Sequence, residues 1–223
     1  YLVRFIQTQI IDHSDIMTEI QTTMIFAAGE GTRMRPITET IPKPLVKVND
    51  MTLLDHSIGI ADKNGLDHIV INTYYLADHI HNHLDDVKTK LPHINIGISH
   101  EEERLETGGG IVNALEHLKE PAFFSMNSDV ILVDKGIKSS IKRMKEMWNP
   151  EIMSALLLLQ PLDNTVGYDG KGNFSLADNG SLVMDEQYND HPYVFTGIQI
   201  LSRSLFEGIE INKFSLRDIY FHE

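Results

Sequence analysis

The sequence predicts an α/β protein: a mostly parallel sheet covered by helices on both faces, with an added β-hairpin in the second half. Three observations predict it. From Thr22 to Gln160, short apolar runs alternate with stretches of helical spacing, which is the pattern of β-α-β units. After Pro161 that alternation stops, and Asn179-Gly180 stands between two short alternating runs in GNFSLADNGSLVM, a strong hairpin signal. Gly29 and Gly31 follow the first strand, where α/β proteins place ligand loops.

The elements follow in order. TTMIFAA (22–28) reads as a buried strand, and Leu53 to Asn64 has helical spacing. LDHIVINT (66–73) is a second strand, Leu76 to Asp86 a helix, and INIGIS (94–99) a third strand. Gly110 to Lys119 is predicted helical, AFFSMN (122–127) a strand, Lys135 to Met147 a helix, and IMSALLLLQ (152–160) a strand. YVFTGIQIL (193–201) is a further strand, followed by short helices at 204–207 and 215–221.

Composition bounds the function. The chain has 223 residues and a formal net charge of −13, from 19 basic and 32 acidic residues. It has no basic footprint for nucleic acid or an anionic membrane, so a bound anion must meet a local positive site. There is no cysteine, hence no disulfide or thiolate chemistry; this suits the cytoplasm, the expected location. The apolar runs are far too short to span a bilayer. Residues 1–21 are expected to be a leader or extension without signal-peptide character, with Met17 a candidate natural start.

Four segments carry candidate chemistry. The loop after the first strand does not match a dinucleotide fingerprint, because Met34 stands where a third glycine is needed, and it lacks the Gly-Lys-Ser/Thr of a P-loop. Pro36, Pro42 and Pro44 exclude a regular helix. What remains is a long glycine-started loop that holds Arg33 and Lys43 on stiffened backbone, suited to a polyphosphate; a surface loop with scattered basic residues is the plainer reading. LETGGG (105–110) precedes the predicted helix. Its glycines allow close approach of a flat ligand, or they serve special backbone angles at a helix start. MNSDV (126–130) ends a strand with Asn127 and Asp129, and an aspartate there is either an Mg²⁺ ligand or a turn former. HIHNH (79–83) reads as a solvated helix face, since only His79 and His83 share a side.

AAGEGTRMRPIT…PKPLVKV resembles the signature of sugar-1-phosphate nucleotidyltransferases. The similarity continues in order through HIVINTYYLADHI, EEERLETGGGIVNAL, FFSMNSDV, FTGIQILSRSLFEG and FSLRDIY. LETGGG and the Asn-x-Asp pair look most like the N-acetylmuramate-1-phosphate uridylyltransferase branch, which recycles cell-wall sugar; mannose-1-phosphate guanylyltransferases share much of the pattern.

The resemblance implies a GT-A-like, Rossmann-related three-layer α/β/α domain over residues 22–223. It implies UTP (or GTP) and a sugar-1-phosphate as substrates and Mg²⁺ as cofactor. It places Ala27 and Gly29 under the nucleotide and Gly31, Thr32 and Arg33 around the triphosphate. Arg33 and Lys43 are the implied catalytic cations, with Lys43 on phosphate during transfer. Glu106 and Gly109 border base and ribose, Asn127 reaches nucleotide or sugar, and Asp129 holds the metal. Gly172, Asn173 and Thr196 are the expected sugar wall. Two positions depart from the pattern. Ser128 replaces a usual glycine, and no second metal-binding aspartate with Trp and Gly neighbours precedes Glu223. The domain is therefore expected to lack its C-terminal end, or to be a nucleotide-binding regulatory subunit without turnover. Asp163, Asp169 and Asp178 are the substitutes to inspect.

Overall fold

A computed structural model describes residues 2–4, 19–177, 180, 182–183 and 192–220. In chain order its elements begin with β1 (Leu2–Arg4), β2 (Thr22–Phe26), the pair β3 (Lys47–Val48) and β4 (Met51–Thr52), and helix α1 (Leu53–Lys63). Then come β5 (His68–Thr73), α2 (Ala77–Lys90), β6 (Asn95–His100), α3 (Glu106–Ala114), β7 (Ala122–Asn127), α4 (Ser140–Met147) and β8 (Ala155–Pro161). The pair β9 (Ser175–Leu176) and β10 (Leu182–Val183), the long strand β11 (Tyr193–Ser202) and α5 (Leu216–Tyr220) follow.

Seven strands form one sheet in the order β1-β8-β11-β7-β2-β5-β6. β2, β5, β6 and β7 run parallel, and β11 is inserted antiparallel between β7 and β8. Side chains alternate across the strands. Ile25, Ile69, Ile71 and Phe124 enter the layer under α1, α2 and α4, with Leu54, Ile80 and Ile141. Met24, Val70 and Phe123 enter the opposite layer with Ile111 of α3 and Leu216 of α5. The three-layer architecture expected from the sequence is the one observed. Leu2–Arg4, within the segment expected to be a leader or extension, pairs with β8 at the sheet edge. Among the described residues no helix is long and apolar enough to cross a membrane.

Several boundaries differ from expectation for local reasons. α4 begins at Ser140 rather than Lys135, because the Ser139 hydroxyl caps it by accepting from the Lys142 N–H at 3.1 Å. α2 runs on to Lys90. The β3–β4 hairpin was not predicted; it turns on Asn49 and Asp50, both at positive φ (50° and 64°), the two-residue turn that asparagine and aspartate tolerate. The hairpin expected around Asn179-Gly180 is represented by β9 and β10, paired Leu176 to Leu182; Asn179 itself lies outside the described residues. Of the expected 204–207 and 215–221 helices, the first is a short 3₁₀ turn at Arg203–Phe206 and the second is α5. Phe221 lies outside the described residues. The solvated-face reading of HIHNH holds for His79 and Asn82, which are exposed, and not for His81 and His83. His81 Nε2 lies 3.0 Å from the buried Thr73 hydroxyl, and His83 Nε2 lies 2.7 Å from Asp55.

Asp55 ties α2 to the start of α1. Thr52 and Asp55 form a reciprocal capping box. Burial pushes the Asp55 carboxyl up, but hydrogen bonds from Thr52 and His83 outweigh it and hold the group below its ordinary value of 3.8. A carboxyl depressed by folding contributes stability that is complete above its unfolded pKa and lost as pH falls through the folded value. Asp55→Asn should therefore cost about 1 kcal/mol at neutral pH, the scale of a lost cap. In urea titrations the two proteins should converge as the pH drops below the depressed value. A difference that persists in acid would rule out the carboxylate as its source.

Candidate functional site

The chain winds outward from β2 to β5 and β6, then crosses back to β7 on the other side of β2. The carboxyl ends of β2, β5 and β7 thus surround a topological switch point, where open α/β sheets form a crevice. A cleft of about 570 Å³ occupies that place.

One wall is the loop after β2. Its prolines break it into three 3₁₀ turns, Thr32–Met34, Ile37–Glu39 and Lys43–Leu45, which fold it back on itself. Gly31 makes the fold-back possible. It has φ 64°, and a Cβ there would lie 2.9 Å from both Lys43 Cβ and Thr38 Cγ2. The buried Thr38 hydroxyl donates to the Gly31 carbonyl at 2.8 Å, and Tyr75 donates to the Thr38 carbonyl at 3.0 Å. Lys43 is thereby brought across the cleft to Asp129, and its ammonium pairs with that carboxylate.

Ala27, Gly29, Gly31, Thr32, Arg33, Lys43, Glu106, Asn127 and Asp129 all line the cleft. Gly109 does not. α3 starts at Glu106, so the three glycines lie inside the helix rather than before it. A Cβ on Gly108 would meet the Phe214 ring at 2.2 Å, one on Gly109 the Asn212 carbonyl oxygen at 2.0 Å, and one on Gly110 a Glu101 oxygen at 2.9 Å. Each glycine allows a close protein–protein approach, so the expected ligand-approach role of the triplet is not what its geometry supports. Glu106 is held at φ 62°, a conformation that costs a non-glycine residue and clusters at functional sites. Gly172, Asn173 and Thr196 also lie outside the lining. Asn173 Oδ1 accepts from the Phe195 N–H at 3.0 Å, and the Thr196 hydroxyl donates to the Leu158 carbonyl at 2.9 Å. These polar groups patch the irregular pairing of β11, where Gly197 makes room for the Asn127 side chain.

Asn72, Glu101, Arg104, Thr107 and Ser215 line the cleft without having been singled out as site residues. Asn72 carried a legible signal, a polar residue at the carboxyl end of an apolar strand. Glu101 carried none, since it opens a glutamate run that reads as solvated yet is 1% exposed. Its carboxyl is pushed up by burial, while hydrogen bonds from Leu105 and Asn72 pull the other way.

The charges are distributed unevenly. Glu30, Glu106 and Asp129 lie within 4.0 Å of Arg35, Lys213 and Lys43 respectively. Arg33 and Arg104 have no ion-pair partner within that distance among the described residues. Two guanidiniums beside a glycine loop can take a polyphosphate by paired N–H donation. Asp129 offers the hard oxygen a divalent cation prefers, and Lys43 on it demonstrates that the carboxylate is open to positive charge. No cluster of three or more candidate metal ligands occurs among the described residues. Asp163 and Asp169 are exposed and away from the cleft lining, and Asp178 lies outside the described residues.

The family profile described as Nucleotidyl transferase matches residues 22–168, and the chain belongs to that family, among the sugar-1-phosphate nucleotidyltransferases. An N-acetylmuramate alpha-1-phosphate uridylyltransferase of Caulobacter vibrioides is 32% identical over 88% of this chain and 81% of its own length. The protein of the same name from Neisseria meningitidis is 36% identical over 84% and 78%. A mannose-1-phosphate guanylyltransferase catalytic subunit beta of Xenopus tropicalis is 37% identical over 48% of this chain and 30% of its own. Among solved structures, HddC of Yersinia pseudotuberculosis with GMP-PN shares the fold at TM-score 0.69 and 23% identity, covering 92% of this chain and 87% of that one.

Proposed function

We propose that the cleft joins UTP to N-acetylmuramate-1-phosphate, giving UDP-N-acetylmuramate and pyrophosphate. The observation that carries this reading is the meeting of the glycine loop with Lys43 and Asp129 at the switch point, with Arg33 and Arg104 beside it, neither ion-paired within 4.0 Å among the described residues. Ala27 and Gly29 would underlie the nucleotide, and Gly31, Thr32 and Arg33 would wrap its triphosphate. Glu106 would border the base and ribose, with Asn127 between nucleotide and sugar.

An oxygen of the sugar phosphate attacks the α-phosphorus in line. One P–O bond forms, the α–β bridge breaks, and its electron pair leaves with pyrophosphate. No general base is required, because a phosphate monoester with a second pKa of about 6 is largely ionised at neutral pH. Arg33 and Lys43 stabilise the charge that builds during transfer, and the rest is positioning. Asp129 would hold Mg²⁺, which supplies further charge neutralisation when bound. A single carboxylate plus substrate phosphates and water meets that ion's preference for oxygen ligands.

Uridylyl over guanylyl transfer is supported by relatives matched over most of both chains. Pyrophosphate release should be fastest with UTP and N-acetylmuramate-1-phosphate, and calorimetry should give tighter binding of UTP than of GTP. Preference for GTP with mannose-1-phosphate would move the protein to the guanylyltransferase branch. Nucleotide binding with no release from any pair would identify a binding subunit without turnover.

A further inference from the structure

Four buried groups join the two walls of the cleft. Ala27 N–H, at the start of the glycine loop, donates to Asn72 Oδ1 at 2.8 Å. Asn72 Nδ2 donates to Glu101 Oε1 at 2.7 Å, and Glu101 Oε2 accepts from Leu105 N–H at 3.0 Å. Leu105 directly precedes Glu106 and Thr107, the cleft-facing start of α3. Ala27, Asn72, Glu101 and Leu105 are at most 4% exposed, so water does not replace a lost partner. Gly110 is part of the arrangement, since a Cβ there would lie 2.9 Å from Glu101 Oε1 and 3.1 Å from Asn72 Nδ2.

We propose that Asn72 and Glu101 are positioning residues that set the spacing between the triphosphate loop and the α3 wall, and so govern nucleotide binding in the cleft. This rests on the nucleotidyltransferase reading above. The donors at both ends are backbone N–H groups and cannot be reversed. The middle must therefore supply one acceptor to Ala27, one acceptor to Leu105, and a matched donor and acceptor between the two side chains. An amide at 72 facing a carboxylate at 101 satisfies all of these. An amide at 101 does not, because it has one acceptor oxygen for two donors. Flipping Asn72 only moves the conflict to Ala27. Exchanging the two groups restores every bond: a carboxylate at 72 accepts from Ala27 and from the new amide, whose oxygen accepts from Leu105.

The experiment compares Glu101→Gln, Asn72→Asp and the double exchange. Each single variant should raise the KM for UTP by roughly tenfold to a hundredfold, with the KM for the sugar phosphate little changed: Glu101→Gln leaves one buried donor unsatisfied, and Asn72→Asp sets two carboxylate oxygens face to face with no donor between them. The double variant should return to within a few-fold of wild type. Hydrogen exchange at the Ala27 and Leu105 amides should quicken in the singles and recover in the double. Exchange reads the network without substrate, so it separates failure of this proposal from absence of turnover in the wild-type protein. Should the singles melt lower but keep wild-type kinetic constants, the role is structural only and the proposal is wrong. A double variant no better than the singles overturns it as well.

Discussion

Lys43→Ala is expected to lower turnover by about 100-fold or more, the scale of losing one charge-stabilising group at a phosphate in transfer. The lysine lies between Pro42 and Pro44, so its backbone is restricted and its ammonium is aimed at little entropic cost. It reaches Asp129 across the cleft, which shows that its tip attains the centre of the site. Lys43→Arg should not restore activity, because a planar guanidinium does not replace a compact ammonium in this confined position. The fold should be almost unaffected, since a partly exposed ion pair of this kind is worth about 0–1 kcal/mol. Steady-state kinetics and a melting curve on the same preparation test both halves. Near-wild-type turnover in the alanine variant would remove Lys43 from the catalytic set.

Gly109→Ala should have the largest effect on stability. The new methyl would lie 2.0 Å from the Asn212 carbonyl oxygen and 3.1 Å from Leu105 Cβ. The obstacle is backbone and cannot rotate aside. Helix α3 would have to separate from the 212–216 segment. That would loosen the bonds from the Gly108 and Gly109 N–H groups to the Phe214 carbonyl, and from Leu216 N–H to the Thr107 hydroxyl. A loss of about 3 kcal/mol is expected, at the upper end for overpacking. Gly108→Ala is the control. Its obstacle is the Phe214 ring, a side chain that can turn, so the cost should be clearly smaller. Urea unfolding of both variants provides the comparison. Equal losses would show that the 212–216 segment moves as easily as a side chain.

Much of the fold was legible in the sequence. The period-two alternation that sends Met24 and Ile25 to opposite layers, and the apolar runs Ile69–Ile71 of β5, Ala122–Phe124 of β7 and Ala155–Leu159 of β8, follow from burial on both faces of a sheet. The glycine-proline loop and the Asn-x-Asp at the end of β7 were legible for the same kind of reason. Glycine and proline restrict the backbone locally, and strand ends are where open sheets expose polar groups. Helix starts were less legible. As sequence, LETGGG reads as a prelude to a helix, because glycine is a poor helix former in isolation. Packing against Phe214 and Asn212 overrides that propensity.

By itself the sequence determined the three-layer class, the strands that carry the site, and the loop in which an acidic chain gathers its cations. These depend on hydrophobic periodicity and on backbone restrictions, which act within a few residues. The tertiary structure decided which of three consecutive glutamates is buried, why three glycines are needed in α3, and that Lys43 and Asp129, 86 positions apart, share one ion pair. It also decided that Asn173 and Thr196 spend their polar groups on backbone, Asn173 on Phe195 of β11 and Thr196 on Leu158 of β8. Each of those outcomes depends on contacts between segments distant in the chain, where burial and hydrogen-bond partners are set by neighbours that no local pattern encodes.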